Sequence, residues 1–290
     1  MKKAPIIYVL LAALAWGSAG VFVHFLSGFG FTSFQLAAAR AAVSAVTALI
    51  VTLASGKKSL RATLPQFGVF VLCGIAFFSM AAFYYMAIRE SSVSTAGILL
   101  YMSPIIVITV SAIFWGEKIT LRKCITIACM LVGCALVTGV VGGLRFAPRG
   151  IIFGLVSCCS YASYTIFVNL ASRMGAKPGA ITVYSFFIAA VVAMFFCDPP
   201  ALVLRIISVP WYAVLGLVGF GAITGFVASY MYSKALERLP AGIVSAMATA
   251  EPLILTLTSV IFLGEKLTVF SATGIVIILA SIVALSFEKK

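Results

Sequence analysis

The chain has 290 residues, of which 63% are hydrophobic and only 9% charged, with a mean hydropathy of +1.21. That balance lies far outside the soluble globular range and calls for burial in lipid. A net charge of +13 invites a nucleic-acid reading, yet the basic residues stand between apolar runs, where they orient membrane spans rather than meet phosphate.

Apolar stretches of about 20 residues, the length needed to cross the hydrocarbon, follow one another along the chain. They fall at roughly 5–27, 33–55, 66–87, 93–115, 120–141, 149–172, 179–197, 209–233, 241–263 and 268–286. Connections of a few residues leave no room for a soluble domain. The alternating polarity of a membrane barrel is absent. The expected fold is an all-α integral membrane protein with ten transmembrane helices.

The first stretch follows Lys2 and Lys3 and so resembles a signal peptide. It is too long for one and runs straight into further spans, so it reads as a retained first helix. Trp16 falls near its midplane, and His24 near its outer end, where an interfacial histidine is expected, although its titration range also suits proton sensing. Arg40 lies about seven residues into the second stretch, ~10 Å deep. Its permanent charge either holds a substrate carboxylate or ties helices together through free backbone carbonyls.

The third and fourth stretches contain Tyr84, Tyr101 and Pro104, and end in Trp115-Gly116-Glu117-Lys118-Ile119-Thr120. An offset of 148 residues aligns Tyr84 with Tyr232, Ala87 with Ala235, Pro104 with Pro252, and Gly116-Glu117-Lys118 with Gly264-Glu265-Lys266. An offset of 145 pairs Trp16, Ser18, Phe22 and Val23 with Tyr161, Ser163, Phe167 and Val168. The chain is therefore two related halves, 1–143 and 149–290, meeting at the polar link Gly142 to Arg149. With five spans each, the second half is inserted upside down, and inverted repeats are a hallmark of secondary transporters.

Charge supports the inversion. With the N-terminus inside, 14 Lys and Arg residues face the cytoplasm, including Lys57, Lys58, Lys118, Arg173, Lys289 and Lys290; Arg89, Arg145, Arg149, Arg205 and Lys266 make five outside. Such a bias sets orientation and places both termini in the cytoplasm, with Glu117 inside and Glu265 outside.

In the second half, Tyr161 and Tyr164 share one face of the sixth span through their spacing of three. Gly216, Gly219, Gly221 and Gly225 of the eighth span provide small-residue packing. Glu251 sits ten residues into the ninth span, ~15 Å deep, close to the middle of a core about 30 Å thick. A carboxylate there must pair, face a wet cavity or carry a proton, which makes it a candidate proton or cation carrier; its rival role is to brace the neighbouring Pro252. Pro104 and Pro252 are paired helix interruptions, a pointer to a central substrate site. Trp16, Tyr101, Tyr161 and Tyr164 gather near that depth, and aromatic faces beside a carboxylate suit organic cations. Tyr8, Trp115, Trp211, Tyr212, Tyr230 and Tyr232 fall near span ends and read as an interfacial belt.

The seven cysteines, Cys73, Cys124, Cys129, Cys134, Cys158, Cys159 and Cys197, lie in or beside apolar stretches and read as small buried apolar residues. No metal-ligand pattern, acid-base dyad, nucleophile triad or phosphate loop is present, so neither catalysis nor a cofactor is expected.

Ala15-Trp16-Gly17, the Gly-Glu-Lys after the fourth span of each half, and Glu251-Pro252 in the ninth resemble the drug/metabolite transporter superfamily, EamA type, across essentially the whole chain. The resemblance implies a central cavity and carriage of amino acids, amines, nucleosides, sugars or drugs, mostly outward and proton-linked. Aromatic-lined cavities occur in its amino-acid and choline-type members, which fits Trp16, Tyr101, Tyr161 and Tyr164. The expectation is a plasma-membrane exporter of a small metabolite, with Glu251 binding cationic charge or a proton and Arg40 receiving an anionic group. A lipid translocase of the same fold is the alternative. The expected partners are a small-molecule substrate, the bilayer and protons, without nucleic acid, and the expected state is a monomer, since the internal repeat can supply the symmetry that smaller transporters obtain by pairing.

Overall fold

A computed structural model describes residues 3–56, 60–138, 147–263 and 268–286. Lys2, Lys57, Lys58, Gly142 to Phe146, Gly264-Glu265-Lys266, Lys289 and Lys290 lie outside the described residues. Among the described residues the regular structure is helical throughout. The first half comprises α1 (Lys3–Gly17), α2 (Ala19–Ser27), α3 (Ser33–Ala54), α4 (Leu64–Glu90), α5 (Val93–Tyr101), α6 (Ser103–Trp115) and α7 (Leu121–Val137). The second comprises α8 (Pro148–Arg173), α9 (Pro178–Met194), α10 (Pro199–Ser208), α11 (Trp211–Gly219), a π-helical stretch (Phe220–Val227), α12 (Ala228–Leu236), α13 (Ala241–Ala248), α14 (Glu251–Leu263) and α15 (Val269–Ser286).

Among the described residues, each expected apolar stretch is mainly helical. Seven helical runs among the described residues are long and apolar enough to cross a membrane, or eight when the bent pair α9–α10 counts as one span. Helix α7 has 17 residues and α15 has 18.

Local chemistry sets the boundaries. Thr32 with Gln35 and Thr63 with Gln66 form reciprocal capping boxes at the starts of α3 and α4. Proline opens α8, α9 and α10, where its missing N–H has no intrahelical partner to lose. Gly116 ends α6 in the left-handed conformation, φ 65°.

Residues 198–208 fall between the expected seventh and eighth stretches, and the structure makes most of this connection a helix. Asp198 adopts φ 50°, its carboxylate accepts from the Ala201 N–H at 3.4 Å, and Pro199-Pro200 start α10 at 101° to α9. Val203, Leu204 and Ile207 are exposed on α10, beside Arg205, as expected of a helix lying along a membrane surface.

Packing relies on close backbone approach. Helix α4 runs along α8, α3 along α9, and α7 along α15. A Cβ on Gly133 would stand 3.0 Å from the Gly274 carbonyl oxygen, and one on Gly274 would stand 2.6 Å from that of Gly133. Without a hydrophobic drive in lipid, such contact supplies the dispersion energy that holds spans together.

Ends that the basic residues assign to one side also meet in space. The Gln66 Nε2 donates to the Met174 carbonyl at 2.8 Å, the Arg122 guanidinium to the Ala284 carbonyl at 3.3 Å, and Ala241 N–H to the Glu117 carboxylate at 3.2 Å.

The cysteines divide. Cys73, Cys134, Cys158 and Cys197 are buried as expected, whereas Cys124, Cys129 and Cys159 lie on the outer surface of the bundle. A bilayer makes that surface apolar too, so the same small residue suits both places.

Candidate functional site

Two helix breaks organise the centre of the molecule. Tyr101 ends α5 and Ser103 begins α6, with Met102 between; Ala248 ends α13 and Glu251 begins α14, with Thr249 and Ala250 between. Each proline is the second residue of its new helix, where the lost N–H is tolerated. The 148-residue offset sets Ser103 opposite Glu251, and the Ser103 hydroxyl is buried without a protein partner. Cys134 donates its thiol to the Thr249 carbonyl at 3.3 Å, satisfying one acceptor that the second break releases.

Gly17 brings the first span against this break. A Cβ there would lie 2.8 Å from the Glu251 carbonyl oxygen and 2.5 Å from Ile254 Cβ. The glycine of Ala15-Trp16-Gly17 is thus the contact point, and it fixes Trp16 beside the second half.

Trp16 meets Tyr161 edge-on at 6.2 Å between ring centroids and Tyr232 at 5.1 Å. Tyr232 stacks on Tyr164 at 6.5 Å, and Phe77 meets Tyr164 at 5.3 Å. The structure therefore brings Trp16, Tyr161 and Tyr164 together as one buried aromatic wall. Tyr101, Tyr84 and Tyr161, with Cys134, all lie within electrostatic reach of the Glu251 carboxylate.

Tyr232 corrects the belt reading. It is 0% exposed and shares a hydrogen bond of 2.9 Å with Thr165. The reason is length: the helix runs on to Leu236, which moves Tyr232 inward from the span end. The repeat held the signal, since Tyr232 aligns with Tyr84 as Tyr161 does with Trp16. Trp211 and Tyr212 are exposed, and His24 is exposed at its shallow position.

Arg40 performs the helix-tying role. Its Nη2 donates to the Thr224 carbonyl at 2.7 Å, and its guanidinium lies between the Phe77 and Phe220 rings, 5.5 and 5.6 Å from their centroids. Thr224 belongs to the π-helical stretch, a form of widened turn found often at functional sites. Gly221 and Gly225 let α3 sit directly on that stretch, where Ser44 donates to the Gly221 carbonyl at 2.8 Å. Nothing in the sequence announced the π-helix. Arg40 keeps a buried Nε without a protein partner and lies within electrostatic reach of Glu251, Tyr85 and Tyr164.

The buried Ser233 hydroxyl on the Tyr232 helix has no protein partner, while the Ser229 and Ser245 hydroxyls stand beside those of Tyr164 and Tyr232 and add polar capacity. Buried polar atoms are nearly always bonded in proteins, so each needs a partner. Among the described residues no group of three or more His, Cys, Asp and Glu is placed to hold a metal ion. The chemistry available is one carboxylate, one guanidinium, an aromatic wall, a thiol and several hydroxyls, which are means to bind a small polar molecule.

Comparison with known proteins gives a consistent picture. A family model described as the EamA-like transporter family matches the chain twice, over residues 3–139 and 148–287. An uncharacterized transporter from Archaeoglobus fulgidus is 28% identical over 221 residues, 73% of this chain and 74% of its own length. The uncharacterized transporter YwfM from Bacillus subtilis is 23% identical over 285 residues, covering 97% and 93%. One crystal structure of a protein superposes with a TM-score of 0.81 at 19% identity, covering 99% of this chain and 97% of that one, a likeness of fold.

Proposed function

We propose that this chain, which belongs to the EamA-like transporter family, is a secondary transporter that exports a small amine, amino acid or related metabolite across the cytoplasmic membrane by alternating access. It has ten spans in two inverted repeats of five, with both termini in the cytoplasm. The pairing of same-side helix ends supports that topology.

The observation that carries the reading is the convergence of Glu251, Arg40 and the Trp16–Tyr161–Tyr164–Tyr232 wall at two repeat-related helix breaks. Glu251 carries the cationic group or a coupling proton, the aromatic faces enclose the substrate, and Arg40 offers its free Nε edge to an anionic group while its Nη2 holds the π-helical stretch. Tyr101, ending α5 at the first break, stands within electrostatic reach of Glu251 and Tyr161, and Pro104 and Pro252 supply the bends.

The test is thermal stabilisation of the purified protein against amines, quaternary ammoniums, amino acids and nucleosides, in parallel with Glu251→Gln. A ligand at 100 times its Kd raises stability by about 2.7 kcal/mol. Cations that stabilise the native protein and not the variant assign Glu251 as the substrate's counter-charge. Ligands that stabilise both assign it to proton coupling or to bracing the break at Pro252, and unchanged pH-dependent transport by the variant would remove the coupling role.

A second reading has one observation behind it. A lateral groove of about 400 Å³ between α4 and α8 is lined by Leu72, Ile75, Leu155 and Phe167, with Ser79 and Ser163 inside it. Such a groove suits an acyl chain, and silence across the soluble panel would bring lipid transport forward.

A further inference from the structure

The Gly116-Glu117-Lys118 turn is used by none of the chemistry above. Gly116 reverses the chain after α6 in the left-handed conformation, φ 65°, which aims Glu117 across the bundle. One carboxylate oxygen of Glu117 accepts from the Ala241 N–H at 3.2 Å and lies 3.6 Å from the Arg173 guanidinium. Three separate elements meet there: the end of α6, the end of α8 and the start of α13. Arg173 is fixed in turn, its guanidinium 4.8 Å over the Trp115 ring and its Nε donating to Asn169 Oδ1 at 3.4 Å.

The two helices joined through Glu117 are the same-side halves of the two broken spans. They touch directly, where a Cβ on Gly242 would collide with the Ile108 side chain. Beside the junction is a cavity of about 390 Å³, lined by Glu117, Asn169, Arg173, Arg238 and the Leu236-to-Pro240 turn. Asn169 is 2% exposed and its Nδ2 has no protein partner. The junction therefore combines a direct helix contact, one capping bond and one ion pair beside open volume, rather than a filled core.

An ion pair whose arginine is 45% exposed contributes little static stability. Its position gives it leverage. Each half-helix meets a mid-span break at one end, and the Glu117 contact sits at the other end of both.

We propose that Glu117 is a positioning residue for transport: its grip on Ala241 and Arg173 holds the two half-helices together, and its release opens the central site to the cytoplasm. The proposal rests on the alternating-access reading. Two discrete states biased by one local contact are how small changes at a packed interface become a global transition.

The experiment uses the full-length protein in lipid nanodiscs, with spin labels placed by non-cysteine chemistry at the exposed Ile119 and Glu237. Distances are measured without cargo, so an unsuccessful ligand panel leaves this measurement intact. Glu117→Ala removes both contacts and is expected to add a population longer by about one helical turn, ~5 Å. Glu117→Gln keeps an acceptor for Ala241 and is expected to give an intermediate shift. High salt screens exposed charges, so it should move the native protein toward Glu117→Gln and leave Glu117→Ala unchanged. Should Glu117→Ala fail to fold, Arg173→Gln decides, with the Glu117→Gln shift expected. A lowered melting temperature with unaltered distances would overturn the proposal and leave Glu117 as a helix cap.

Discussion

Arg40 and Glu251 lie within electrostatic reach of each other and yet form no direct ion pair; among the described residues the one pair within 4 Å is Arg173 with Glu117. Two opposite charges held apart in a low-dielectric interior keep an attraction that neither satisfies by contact. In the proposed reading, a substrate carrying complementary charges would bridge them.

That relationship predicts non-additive mutations. Arg40→Met removes the charge-assisted bond to Thr224 and the attraction to Glu251, so destabilisation of about 1.5–3 kcal/mol is expected. Adding Glu251→Gln should restore ~1 kcal/mol or more, because the uncompensated charge is gone. Unfolding in detergent of both single variants and the double variant measures the coupling, and simple additivity would mean the two groups act independently.

Gly17 should tolerate no side chain. Gly17→Val places atoms against the Glu251 carbonyl and Ile254, and overpacking of this kind costs about 1–3 kcal/mol. Gly68, which has nothing within 4 Å of a Cβ, is the control, and Gly68→Ala is expected to be neutral or slightly stabilising. A melting series on the two variants separates crowding from general sensitivity to mutation.

Tyr232 makes separable contributions through its ring and its hydroxyl. Tyr232→Phe keeps the ring against Trp16 and Tyr164 and loses the bond to Thr165, at a cost of about 1 kcal/mol. Tyr232→Ala removes the wall and should cost ~3–5 kcal/mol. Once a stabilising ligand is identified, the first variant should bind it within a few-fold of the native protein. The second should lose most of the affinity.

Topology can be read with reporter fusions. An alkaline phosphatase moiety, active only outside the cytoplasm, should be active when fused after Gly30 or Ser208 and silent after Lys118 or Leu239. The reverse pattern would invert the sidedness assigned to the Glu117 contact.

The helical runs and the paired breaks were legible in the sequence because lipid imposes a length and proline leaves a mark. Trp16, Tyr161 and Tyr164 were legible through depth and repeat matching. Tyr232 was not, because its place depended on where a helix ends, and a single extra turn to Leu236 moved it from rim to core. The π-helical stretch under Arg40 also escaped: its glycines state that a neighbour comes close, but not that the ladder of hydrogen bonds widens to meet it. The bend into α10 was written in Asp198-Pro199-Pro200, yet its angle is a property of the left-handed Asp198 rather than of the prolines alone.

At the two breaks, Ser103 stands in one half where Glu251 stands in the other, and the π-helical stretch of residues 220–227 corresponds to plain α-helix at residues 72–79. In a transporter assembled from two identical chains, each substitution is made twice, so a carboxylate gained on one side arrives on the other as well. Two halves joined in one chain accept changes singly. One half carries the charge and the widened turn and the other carries neither, and a new specificity can arise here by altering a single break.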